Sequence, residues 1–169
     1  LGLRPRIAGR DFALEGQGPW SFRSDETRLE GLSLPLAGPH QIENAETALE
    51  TVRLMLPGVE AAAVREGLRA TRWPGRLEQV ASDPITLLDG AHNPDGARAL
   101  ATAMRAIYPG ARIHLVFGVL ADKDVAGVAS QLVPLAQQLH LCSPRNDRAL
   151  APAALASLSA SLGAGRAAV

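Results

Sequence analysis

The chain has 169 residues, 47% of them hydrophobic and 20% charged, with 17 basic side chains balanced by 17 acidic ones. That is ordinary globular chemistry, with room for one domain or two small ones, and zero formal charge gives no general pull toward nucleic acid or an anionic membrane. The single cysteine, Cys142, rules out an internal disulfide and a cysteine-built zinc site.

Cys142 is expected to be a small buried hydrophobe in a reducing, cytoplasmic setting. No apolar run approaches the ~20 residues a transmembrane helix needs, and the first residues show no basic-then-apolar signal pattern. A soluble protein with no nucleic-acid and no membrane partner is expected. Sixteen arginines accompany one lysine, Lys123. Because Asp124 follows it, the GxxxxGK[ST] loop that cradles phosphates is absent from this sequence.

In chain order, "DFALEGQGPWSFR" (11–23) sets two mixed apolar stretches around a Gly-Gln-Gly-Pro turn and predicts a β-hairpin. "LEGLSLPL" (29–36) predicts one more strand. From 41 to 56, Ile42, Ala45, Ala48, Leu49, Val52 and Met55 recur at helical spacing, and "LPG" ends the run. A second helix fits 60–70, and Pro74 and Gly75 in "RWPGR" mark a hinge. Beyond it "LEQVAS" and "ITLLDG" predict strands, 94–107 a helix, "RIHLVFG" a strand, 123–138 a helix, "LHLCS" a strand and 151–161 a helix. Such alternation favours right-handed crossovers and a parallel sheet covered on both faces. The sheet is expected to end on a helix without a closing strand, as a fragment would.

In a parallel sheet every strand-to-helix loop emerges on one edge, where ligands bind. Three successive loops carry polar groups: Asp89, His92, Asn93 and Asp95; then Gly118, Asp122, Lys123 and Asp124; then Ser143, Arg145, Asn146, Asp147 and Arg148. Asn93-Pro94 is a good N-cap and first-turn pair, and Asp95 suits the helix dipole, so capping alone could explain both. Asp89 and His92 precede the cap, where a carboxylate can accept from ribose hydroxyls and an imidazole can meet a nucleotide. Gln41 and Asn44, three apart, share a face of the first helix turn, and amides can read an adenine edge; a solvated helix start is the plainer alternative. His40 fits a cap or turn, and His114 and His140 fit structural roles within strands.

The segments "GPHQIENAETALE", "RWPGRLE", "LLDGAHNPDGARAL", "FGVLADKD" and "SPRNDRALAPAAL" make the chain resemble the folylpolyglutamate synthase/dihydrofolate synthase family, a branch of the Mur-type ATP-dependent ligases. The resemblance covers 38–155 in family order and implies an α/β fold. Residues 1–72 would be the C-terminal part of a central ATPase domain, with a short β-hairpin, strands and helices. Residues 73–169 would be an incomplete Rossmann-like C-terminal domain with a mainly parallel sheet. It implies an enzyme that phosphorylates a carboxylate with ATP and lets L-glutamate attack the acyl phosphate, dihydropteroate or a folate being the acid.

By position, the resemblance assigns Gln41 and Asn44 to adenine, Arg76 to phosphates, and Asp89 and His92 to the ribose and nearby nucleotide. Asp122, Lys123 and Arg148 go to substrate, Arg148 to the glutamate carboxylate. The P-loop and the ligands of Mg2+ would precede residue 1, so no catalytic residue and no metal ligand is expected here, and the chain alone should be inactive. A monomer working with the rest of its own chain is implied. Asp147 departs from the family's usual proline. Two alternatives are a free-standing nucleotide-binding module and a Mur-type peptidoglycan-precursor ligase fragment. The one GxGxxA match, Gly163, Gly165 and Ala168, follows a helix and is discounted as a dinucleotide fingerprint. A non-catalytic interaction domain would bind no nucleotide, and a metal site at Asp89 and His92 lacks further ligands.

Overall fold

The computed structural model describes residues 4–25 and 27–162 and the backbone of 166–168. The chain divides into two compact units, Leu1–Leu88 and Asp89–Val169.

In the first unit β1 (Phe12–Glu15), β2 (Trp20–Ser24) and β3 (Thr27–Leu32) form an antiparallel meander. The expected hairpin is present. Its turn needs glycine, because Gly16 and Gly18 have φ of 117° and 91°, where a side chain is strained. The third strand begins two residues earlier than 29 and ends by Leu32, ahead of Pro35, which cannot donate to a ladder. Two helices follow, α1 (Pro39–Met55) and α2 (Ala61–Ala70). Phe12, Leu14, Phe22, Leu32, Ala45 and Leu49 make the core, with Ile42, Val64 and Leu68 packed against it. Burial of Phe22 and Leu32 contributes roughly 1.5–3 kcal/mol each.

The helical face departs from its spacing at two positions. Ala48 and Met55 are exposed, whereas Glu50 is buried. The burial of Glu50 is explained by its partners. Arg6 Nε contacts Glu50, and Arg53 Nε and Nη2 donate to its two carboxylate oxygens, both at 2.9 Å. Arg6 also meets Asp25 at 2.6 Å and donates to Ser24 Oγ at 3.0 Å. A buried charge is tolerated where it is paired and hydrogen-bonded.

The unit closes on a two-stranded sheet, β4 (Glu78–Ser82) with β5 (Ile85–Leu88). This corrects the expected parallel arrangement for these strands, since they pair antiparallel, Ser82 opposite Ile85. The Asp83-Pro84 pair leaves room only for a tight turn, and a parallel partner would need a crossover of a dozen or more residues.

In the second unit α3 (Pro94–Ile107) leads into β6 (Ile113–Phe117), and α4 (Val125–Leu132) into β7 (Ala136–Leu141). The helix expected over 123–138 stops at Leu132 and passes through a 3₁₀ turn, Val133–Leu135. Asp124 is its N-cap, and Pro134 has no N–H to continue it. Then come α5 (Pro152–Ser161) and β8 (Arg166–Ala168), the closing strand that the sequence pattern missed. The sheet is parallel with order β6-β7-β8.

One face of this sheet carries the core, in which Phe117, Leu139 and Leu141 meet Ala97 and Ala101 of α3, Val128 and Leu132 of α4, and Leu155 of α5. The other face is not covered among the described residues: Val116 is 68% exposed, and His114, also exposed, stacks on His140 with ring centroids 5.9 Å apart. Alternation along β6 is therefore that of a strand packed on one side. Cys142 is exposed rather than buried, because it lies one residue beyond β7. Gly163 and Gly165 of the discounted fingerprint lie outside the described residues. No described helix is long and apolar enough to cross a membrane.

Candidate functional site

The second unit brings two of its strand-to-helix loops onto one edge, as parallel strands must. The loop after β6 and the loop after β7 are stitched by main-chain bonds. The Cys142 N–H donates to the Phe117 carbonyl at 3.0 Å, Leu150 to Val119 at 3.0 Å, and Ala121 to Arg148 at 2.7 Å. Gly118 permits this approach, since a Cβ there would lie 2.8 Å from the Cys142 carbonyl and 2.9 Å from its Sγ. Across the stitched loops Arg148 Nη1 donates to Asp122 Oδ2 at 2.9 Å. Lys123 is half-buried, and Asp124 is occupied as a cap, its Oδ1 accepting the Gly127 N–H at 2.8 Å.

The third loop, 89–93, reaches the same neighbourhood by a different route. Its preceding strand β5 is not part of the β6-β7-β8 sheet, so a shared parallel edge does not explain its place. Helix packing does. Gly127 lets the start of α4 approach that of α3 so closely that a Cβ would fall 2.6 Å from Pro94 Cγ. Asn93 caps α3, its Oδ1 accepting the Gly96 N–H at 2.8 Å, and Asp95 pairs with Arg98 at 2.8 Å. Both therefore have structural work at the helix start.

Asp89 is half-buried and accepts the Ala91 N–H through Oδ1 at 2.8 Å, which turns the chain toward the cap. His92 is exposed, with Nδ1 2.8 Å from the Gly90 carbonyl oxygen. A carbonyl only accepts, so Nδ1 carries a proton in this contact.

In the first unit, Gln41 and Asn44 lie together as expected, Asn44 Nδ2 donating to Gln41 Oε1 at 3.2 Å. Gln41 is buried and its Nε2 also meets His40 Nε2 at 3.1 Å, while Asn44 is exposed. Asn44 is thus the exposed member of the pair, tied to Gln41 by that bond. Arg76 is exposed at the entry to β4, between Gly75 at φ 70° and Leu77 at φ 45°. A leucine in left-handed backbone is strained, and here its side chain is buried, which anchors the turn presenting Arg76.

One group was not foreseen from the sequence. The cluster around Glu50 was signalled only by Arg53 three residues on, a helix-face pair. Asn146, named among the polar residues of the loop after β7, uses its Oδ1 to accept the Arg148 N–H at 2.9 Å.

A family model, the glutamate ligase domain of Mur ligases, matches residues 75–168. The chain belongs to the Mur ligase family. The resemblance seen in the "DGAHNP" and "PGRLE" segments is borne out by its relatives. The chain is 34% identical over 160 residues to the folylpolyglutamate synthase of Lacticaseibacillus casei, matching 88% of this chain and 37% of that protein. Among solved structures, Mycobacterium tuberculosis folylpolyglutamate synthase complexed with ADP superposes with a TM-score of 0.86 at 32% identity, over 95% of this chain and 38% of that one. FolC of E. coli in complex with DHPP and ADP gives a TM-score of 0.83 at 30% identity, over 95% of this chain and 38% of that one. This Mur ligase chain thus spans less than two fifths of the length of each of these relatives.

Proposed function

We propose that this chain is part of an ATP-dependent amide ligase that adds L-glutamate to dihydropteroate or a folate through an acyl phosphate. The observation that carries the reading is the glutamate ligase match over residues 75–168. The proposed domains are residues 1–72, the end of the central ATPase domain, and 73–169, the glutamate ligase domain, the second supported by the match over 75–168.

The proposed nucleotide contacts are Gln41 and Asn44 for the adenine edge, Arg76 for phosphate, and Asp89 and His92 for the ribose and its surroundings. Each suits its task chemically. An amide donates and accepts at once, a guanidinium pairs with phosphate, and an imidazole nitrogen can share a hydrogen bond with a hydroxyl. Asp122, Lys123 and Arg148 would serve the incoming glutamate, whose amine must be held against the acyl carbon so that attack becomes effectively unimolecular. ATP is the phosphoryl donor, and its divalent ion, expected to be magnesium, stabilises charge on the transferred group. Among the described residues no group of three or more His, Cys, Asp or Glu could hold a metal, so no step is assigned to an ion here. A cytoplasmic monomer belongs to the same reading.

The test has two arms. The isolated chain, given ATP, a folate and glutamate, should release no ADP, and measurable release would contradict the reading. In the complete ligase, Asp89→Ala and Arg76→Ala should each raise the KM for ATP; unaltered kinetics in both would remove those residues from the site.

A further inference from the structure

Arg148 is held from two directions. Asn146 supports its backbone, Oδ1 accepting the Arg148 N–H at 2.9 Å while the Asn146 carbonyl accepts the Ala149 N–H at 3.0 Å. Asp122, 26 residues away in sequence, takes its guanidinium at Nη1, 2.9 Å from Oδ2. The main-chain bonds flanking Leu120 and Ala149, which themselves form an antiparallel bridge, fix the two loops at the spacing this ion pair needs.

The pair has little to do with stability. Its members are 62% and 44% exposed, and exposed ion pairs contribute little to folding. What Asp122 does is select one orientation of a long side chain that otherwise samples many rotamers. A guanidinium has five donors in one plane. With Nη1 on Asp122, the edge formed by Nε and Nη2 has no partner among the described residues, and that edge suits bidentate pairing with a carboxylate. Asp122 itself is a poor ligand for such a group, since like charges repel. Its productive link to a carboxylate runs through Arg148.

We infer that Asp122 and Asn146 are positioning residues, which preorient Arg148 so that its free edge receives the carboxylate of the incoming amino acid. The inference rests on the proposed role of Arg148 and changes that of Asp122 from substrate contact to support. Preorientation removes ordering costs from binding, so its loss should appear in the KM for the amino acid and not in the KM for ATP.

The experiment uses the complete ligase with glutamate and ATP varied separately. Asp122→Ala should raise the glutamate KM on the order of tenfold, with the ATP KM and the melting temperature unchanged. Asn146→Ala should act in the same direction. Asp122→Asn, which still accepts from Nη1, should recover most of the loss. Arg148→Ala should raise the glutamate KM further, and adding Asp122→Ala to it should change nothing more. Losses that multiply in the double variant, or an unaltered glutamate KM in Asp122→Ala beside a raised one in Arg148→Ala, overturn the inference alone. An unaltered glutamate KM in Arg148→Ala overturns the role of Arg148 itself.

Discussion

Glu50 offers the sharpest test of the first unit. Only 3% of the residue is exposed, and Arg53 above all, with Ser24 and Arg6, holds its carboxyl down from 4.5 to about 2. A displacement of that size is equivalent to about 3 kcal/mol. Because the folded-state value is depressed, this stability is in place above the unfolded value of 4.5 and drains away as the pH falls toward about 2. Glu50→Gln keeps the shape but sets Arg6 and Arg53 against an uncharged amide. Breaking a buried pair costs about 3–5 kcal/mol, and the hydrogen bonds an amide retains place the expected loss near about 3 kcal/mol. Urea unfolding followed by tryptophan fluorescence reads it, since Trp20 and Trp73 both lie in the first unit. The variant should lose that amount at pH 7 and show a shallower decline than the wild type between pH 5 and 3. A wild-type midpoint at pH 7, or an unaltered acid decline, would refute the reasoning.

Three further outcomes are expected. Gly127→Ala should destabilise the second unit by about 1–3 kcal/mol in denaturation followed by circular dichroism, because its Cβ would lie 2.4 Å from Asp124 Oδ2 and 2.6 Å from Pro94 Cγ. The clash and the disturbed cap outweigh the helix propensity gained, which is about 1 kcal/mol. Gly67→Ala in α2 meets nothing within 4 Å and should stabilise, by about 0.4–1 kcal/mol on urea unfolding. Asn93→Ala removes the cap bond to Gly96 and should cost about 1 kcal/mol in the same assay.

The sequence was most informative where local chemistry decides. Asn93-Pro94 announces a helix start, and the structure begins α3 at Pro94 with Asn93 as its cap. The "DFALEGQGPWSFR" hairpin needs its glycines in backbone that other residues avoid, so its turn was legible too. Pairing partners were not. "LEQVAS" and "ITLL" are strands by composition, but the choice between a parallel sheet and an antiparallel hairpin lay in the two residues between them. The short α4 was overestimated because apolar residues continue past Pro134 into β7, and periodicity does not register a missing N–H. At the rim, the polar loops after β6 and β7 meet as the parallel arrangement implies. The neighbourhood of 89–93 depends instead on Gly127, a contact between helix starts that no residue spacing announces.

The exposed Cys142 has a practical use. The chain holds one sulfhydryl, and it lies at the foot of the segment bearing Arg148, against Gly118. A maleimide dye would therefore attach at a single known address with no cysteine removed or added. On the proposed role of Arg148, its emission, followed while amino acid is titrated in, would report occupancy without waiting for turnover.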